Sequence, residues 1–296
     1  MTHSIVIITM NRQRELQRLL ASLRQQTHPA EEILIIDAGN AELTEECSDT
    51  VLRIRRIRVR PGISAQRNRG LDEAHCDILT FIDDDAELTP RYSETVLRRF
   101  RDEADLVALA GSNRAATCPG PVELALRRLL GVQTGCGSFR MRFSGFPDVA
   151  AAVPRRIAAE VLPSTVLSLR REVCRGLRFE EYWLSGAPLG LTTGRCFGED
   201  LYFTHQLAKR GRMTVLDDAE YSHIESPVNR ESLWTTQALY VFAMRWISDQ
   251  TAAGTGRAAR LWALFGQLLI NTAQSIRYRE SGYLRGYVRA LRAKLK

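Results

Sequence analysis

The chain of 296 residues is long enough for one generous α/β domain with an appendage, or for two small domains; 45% hydrophobic and 25% charged side chains exclude collagen-like, low-complexity and wholly disordered classes. Of the net charge of +7, a balance of +6 lies between Arg277 and Lys296, where seven basic residues meet one acid, Glu280. The first 276 residues carry 34 basic and 33 acidic side chains, which excludes a uniformly basic nucleic-acid binder and leaves a near-neutral body with a basic tail. The cysteines Cys47, Cys76, Cys118, Cys136, Cys174 and Cys196 include no CxxC pair, so neither a zinc knuckle nor a redox dithiol is expected. Strand-like residues begin at Ser4, so no leader is expected either. The longest helix-like apolar stretch, Leu261 to Ile270, is ten residues, against about 20 for a bilayer span. Together these predict a reduced, cytoplasmic protein without a transmembrane helix.

The first 110 residues alternate strand and helix. Ser4–Thr9 is a continuous apolar run, as a strand covered on both faces requires. Leu16, Leu19, Leu20 and Leu23 fall on one helical face before Thr27-His28-Pro29. Strands are predicted at Glu32–Asp37, Ile54–Arg60 and Asp77–Ile82, with a helix over Ser64–Ala74 capped by Ser64. Another helix starts near Pro90 with Tyr92, Val96 and Phe100 inward, and the strand Asp105–Gly111 follows. Such alternation predicts a mostly parallel sheet with helical crossovers. From Asn113 to Pro163 the alternation is lost; this reads as a variable, partly mobile segment with one helical stretch at Glu123–Leu130. A strand at Thr165–Leu169, a loop, a helix from Glu199 to about Lys209 and three C-terminal helices (Glu231–Asp249, Gly256–Ser275, Tyr283–Leu295) complete the chain.

Open α/β sheets take ligands at the carboxyl ends of their parallel strands. There the sequence puts Thr9, Asn11 and Arg12 after the first strand and Asp37 after the second. Arg67 lies in the helix after the third, and Asp83-Asp84-Asp85 follow the fourth. No glycine-rich dinucleotide fingerprint and no GxxxxGK[ST] loop is present. Three adjacent carboxylates at a strand end repel one another and invite a hard divalent cation, Mg²⁺ or Mn²⁺; the bland alternative is an acidic turn capping the helix near Pro90. Gly198-Glu199-Asp200 opens a helix, where acids often serve only the dipole. Beside a phosphate site, a carboxylate on such a turn is a candidate general base.

In order, Val6-Ile7-Ile8-Thr9-Met10-Asn11-Arg12, Ile35-Ile36-Asp37, Ala65-Gln66-Arg67-Asn68-Arg69-Gly70, Phe81-Ile82-Asp83-Asp84-Asp85, Arg170-Arg171-Glu172-Val173 and Gly198-Glu199-Asp200 resemble a family 2 glycosyltransferase of the inverting GT-A type. The resemblance spans roughly residues 4–226. It implies a catalytic domain over 1–226, with a nucleotide-binding half at 1–111 and an acceptor half at 112–226, followed by a helical region at 227–296. It also implies donor binding by Thr9, Asn11, Asp37, Arg67, Asp83 and Asp84, and a metal (Mg²⁺ or Mn²⁺) held by Asp85 and His223. Asp200 would be the catalytic base, with Glu199 orienting it. The donor would be a UDP, GDP or dTDP sugar and the acceptor a hydroxyl, lipid-linked acceptors included, in bacterial cell-surface glycan or glycoconjugate synthesis.

The loop Leu184 to Phe197 is read as an acceptor lid, with Trp183 either a sugar platform or ordinary core packing. The rivals are a haloacid-dehalogenase-like phosphatase, disfavoured because Glu87 stands where its Thr or Val belongs, and a catalytically silent binding subunit. In the tail, Tyr283, Leu284, Tyr287, Val288, Leu291 and Leu295 interleave with Arg285, Arg289, Arg292 and Lys294. That pattern fits either a helix lying on the anionic inner face of the cell membrane or one packed on the domain.

Overall fold

The computed structural model describes residues 1–40, 52–114, 118–136, 138–149, 156–191, 195–224, 226, 228, 231–251 and 256–295. Cys47, Glu225 and Lys296, and the Thr192–Gly194 part of the expected lid, lie outside the described residues.

The alternating first part folds as its pattern predicts. Strand β1 (His3–Thr9) is buried throughout, and the leucine face of α1 (Gln13–Arg24) seats Leu16, Leu19, Leu20 and Leu23 in the core. β2 (Glu32–Asp37), β3 (Ile54–Arg58), α2 (Ile63–Glu73) and β4 (Ile78–Asp83) follow. After β5 (Ala86–Leu88), α3 (Tyr92–Asp102) buries Tyr92, Val96 and Phe100, and β6 (Leu106–Asn113) closes the regular part. The N-cap of α2 is Gly62, not Ser64. The Ser64 hydroxyl instead donates to the Glu180 carbonyl at 2.7 Å, so it ties α2 to a distant loop rather than to its own helix end.

The segment expected to be irregular contains α4 (Pro121–Leu129), the hairpin β7 (Phe139–Met141) with β8 (Pro147–Val149), and β9 (Ile157–Ala159). A disulfide joins Cys118 to Cys136 and brackets α4. It corrects the expectation of a fully reduced chain, which rested on CxxC spacing and could not see a bridge closed by folding.

β10 (Val166–Arg170), α5 (Glu199–Leu207), β11 (Arg212–His223) and the helices α6 (Leu233–Thr251), α7 (Arg257–Arg277) and α8 (Gly282–Arg292) complete the described elements. The large sheet runs β3-β2-β1-β4-β10-β6-β11-β5, with β9 beside β11. β3, β2, β1 and β4 are mutually parallel; β10 enters antiparallel between β4 and β6. Two clusters, one on each face, bury this sheet. A third joins α6 and α8 to Phe146, Leu184 and Leu189. The face of α8 that carries Tyr287 and Ala290 is therefore packed on the molecule. No helix among the described residues is long and apolar enough to cross a membrane.

Candidate functional site at the strand ends

Parallel pairing of β2, β1 and β4 delivers Asp37, Thr9 and Asp83 to one edge of the sheet. Asp37 is buried; its Oδ1 accepts the Gly39 amide at 2.7 Å, and its Oδ2 accepts the Arg56 guanidinium. Asn11 takes a left-handed backbone conformation and accepts the Asn40 amide at 3.0 Å, which fastens the first turn to the second.

The three acids at the end of β4 go to different sets of partners, with Arg12 shared by the last two. Asp83, a quarter exposed, accepts a hydrogen bond from Arg67 Nη2 at 3.0 Å. Asp84 is buried and takes the Thr9 hydroxyl at 2.7 Å and Arg12 Nη1 at 3.0 Å. Burial pushes the Asp84 carboxyl up to about 7, against the pull of Arg12 and Thr9. For Asp85 burial acts in the same upward direction. The hydrogen bond and charge of His223 outweigh it, helped by the Ser226 amide and Arg12, and hold that carboxyl below its usual range. Asp85 Oδ1 lies 3.0 Å from His223 Nε2, and Oδ2 takes Arg12 at 3.1 Å and the Ser226 amide at 3.2 Å. His223 reaches this place because β11 pairs antiparallel with β5, with His223 opposite Ala86.

Asp85 and His223 offer one carboxylate and one imidazole side by side, a donor set suited to Mn²⁺ or Mg²⁺ when phosphate oxygens and water fill the other positions. No group of three His, Cys, Asp or Glu side chains among the described residues is arranged to hold an ion unaided.

The second acidic motif meets the first through Arg67. Its guanidinium is buried on the face of Phe179, donates Nη2 to Asp83 and donates Nη1 to Glu199. Burial and the neighbouring Asp200 charge push the Glu199 carboxyl up, while Arg67 pulls the other way. Asp200, one residue on, is partly exposed. Its Oδ1 accepts the Leu201 amide at 2.8 Å; its Oδ2 accepts the amide and hydroxyl of Ser164 at 2.9 and 3.1 Å. The turn depends on Gly198, whose φ of 75° is left-handed and whose missing β-carbon leaves room for Ile247 of α6.

Ser164 and Thr165 link the two motifs a second time. The Thr165 carbonyl accepts the Asp83 amide at 3.0 Å while Ser164 holds Asp200. Ser164 and Arg56 are site residues the sequence reading did not single out; their partners lie 36 and 19 positions away, so no local pattern marks them. Arg12, expected at the first strand end, meets Asp84 72 positions on. Trp183 stands apart. It is partly buried against the α6–α8 cluster, edge-on to Tyr182. The described part of the expected lid is docked as well: Leu184 and Leu189 are buried, and Arg289 of α8 donates to the Leu189 carbonyl.

A family model described as "Glycosyl transferase family 2" matches residues 4–154, half of the chain. The "GalNAc(5)-diNAcBac-PP-undecaprenol beta-1,3-glucosyltransferase" of Campylobacter jejuni is 26% identical over 103 residues, 32% of this chain and 33% of that protein. The "Glucosyl-dolichyl phosphate glucuronosyltransferase" of Haloferax volcanii is 29% identical over 116 residues, 37% of each chain. The chain thus matches about a third of the length of these relatives. Among solved structures, S. aureus TarS 1–349 in complex with UDP-GlcNAc superposes with a TM-score of 0.57 at 14% identity, covering 98% of this chain and 81% of that one. At that identity the likeness is one of fold.

Proposed function

The chain belongs to glycosyl transferase family 2 and is a glycosyltransferase with a GT-A-type fold, and from that premise we propose that it moves a sugar from a nucleoside-diphosphate sugar to an acceptor hydroxyl with inversion at the anomeric carbon. The acceptor oxygen forms the new bond as the bond to the diphosphate breaks. The electron pair leaves with the nucleoside diphosphate, and the acceptor proton goes to Asp200. One observation carries this: a carboxylate held by three hydrogen bonds yet still partly exposed (Asp200) lies beside Glu199, which buried Arg67 couples to the strand-end acids. Such preorganisation leaves little to rearrange as charge develops.

Asp37, Asn11 and the Thr9–Asp84 pair shape the nucleotide end in this reading, and Asp83 faces the donor from the end of β4. Asp85 and His223 would hold a divalent cation, whose chemistry is to offset charge on the leaving diphosphate. The named relatives that act on undecaprenol- and dolichyl-linked sugars support a lipid-linked acceptor for this chain. The phosphatase alternative falls with the family match.

Asp200→Asn tests the assignment. Transfer is expected to fall by roughly 10²-fold or more, while the donor still raises the melting temperature; near-normal transfer would overturn the base. A melting panel of UDP, GDP and dTDP sugars with and without Mn²⁺ identifies the donor, since binding at one hundred times Kd adds about 2.7 kcal/mol of stability.

A further inference from the structure

Two helices carry large apolar side chains into solvent. On α4, Val122, Leu126 and Leu129 stand at i, i+4 and i+7, with Val122 82% and Leu129 69% exposed; no residue of this helix is buried. On α7, Leu261, Phe265 and Leu269 repeat at i, i+4 and i+8, with Leu261 69% exposed, while the opposite face buries Ala263, Gly266 and Gln267. The two stripes adjoin. The Trp262 indole N–H donates to the Leu129 carbonyl at 2.8 Å while the ring stays half exposed near Phe265. Gly266 lets α7 close on the end of α4, where a β-carbon would lie 2.5 Å from the Leu130 carbonyl oxygen.

Large apolar side chains exposed together on two adjoining helices mark a surface made to be covered. The neighbouring charges select what covers it. α7 contains three arginines and no acid, and so does α8; the one acid of α4, Glu123, is paired with Arg127, which leaves Arg128 exposed with no acid partner on its own helix. Aliphatic and aromatic anchors, a tryptophan with its polar edge satisfied, and a border in which arginines outnumber acids, Arg260 being paired with Asp249 of α6, complement an anionic lipid surface. A second copy of the chain would bring like charge against like.

We propose that the α4–α7 face is the seat of this protein on an anionic bilayer surface, with Phe265 and Trp262 at the boundary between headgroups and acyl chains. The face is distinct from the packed side of α8, and the proposal does not depend on the sugar chemistry. The test is flotation of the whole protein with vesicles of phosphatidylglycerol and phosphatidylcholine, against phosphatidylcholine alone. The protein is expected to float with the anionic vesicles, and less so as salt is raised. The double variant F265S/L269S should bind roughly tenfold more weakly or worse, at an unchanged melting temperature. V122S/L126S, on a helix that buries nothing, should do the same and guards against a folding defect in the first. Brominated acyl chains should quench the wild type more than Trp262→Phe. Three results would each overturn the proposal: no flotation with anionic vesicles, equal flotation of wild type and both double variants, or a concentration-dependent dimer that F265S/L269S abolishes.

Discussion

Arg67 serves two carboxylates that arrive from motifs more than one hundred positions apart, Asp83 and Glu199. Buried on Phe179, its guanidinium has no water to fall back on, so its removal strands two acids at once. Arg67→Met is expected to lower folding stability by about 3 kcal/mol or more in chemical denaturation. Adding Glu199→Gln should restore part of that loss, because one of the stranded charges is then gone. The acids themselves were legible in the sequence, since like charges adjacent at a strand end or a helix start are conspicuous. Ser164 was not: it is one small polar residue among loop residues, and only folding sets its hydroxyl 3.1 Å from Asp200. Ser164→Ala should therefore lower transfer while leaving donor-dependent stabilisation in place.

At the scale of elements, β1 to β4 and β6 could be read because continuous apolar runs and a leucine stripe have clear periods, while the three-residue β5 is too short to show one. β11 could not. It is the longest strand described, yet its register shifts between Val215 and Glu220, where Asp217 and Asp218 point outward and break the alternation. Its start is fixed by charge: Glu103, at the end of α3, accepts Arg156 at 2.8 and 2.5 Å and Arg212 at 2.5 Å. Hydrogen bonds from Arg156 and then Arg212 lower the Glu103 carboxyl to about 2 from an ordinary 4.5. A carboxyl depressed on folding stabilises above its unfolded value and loses that contribution as pH falls toward the folded one. Glu103→Gln should therefore melt lower than wild type at neutral pH, with the gap closing between about pH 4.5 and pH 2. Melting curves across that range check the sign.

For the whole molecule, the C-terminal helices form a region that the loss of alternation after Gly111 could not locate in space. α8 is fastened to α6 by Gly286, where a β-carbon would collide with the Trp234 carbonyl, and to α7 by Tyr287, whose hydroxyl donates to the Leu264 carbonyl at 2.7 Å. Gly286→Leu should detach α8 and lower the melting temperature, and it should also free the 184–191 segment that Arg289 pins through Leu189. Hydrogen exchange over residues 184–191 would register that release. For the same reason the amphipathic pattern of the tail could not show on sequence alone which side faces outward: its Tyr287 side packs between α6 and α7.

Between β6 and β10 the described chain forms α4 and the β7–β8 hairpin off the large sheet and rejoins it at β9 beside β11, while β10 lies beside β6. Just before β10, Ser164 and Thr165 set the distance between the donor edge and Asp200. The off-sheet part of that stretch, α4 and the β7–β8 hairpin, carries none of the strand-end acids and can differ in length and shape without moving them. That makes it an exchangeable cassette: a chimaera carrying a relative's stretch over 118–149, with β9 and Arg156 kept, is expected to inherit that relative's acceptor while keeping its own donor.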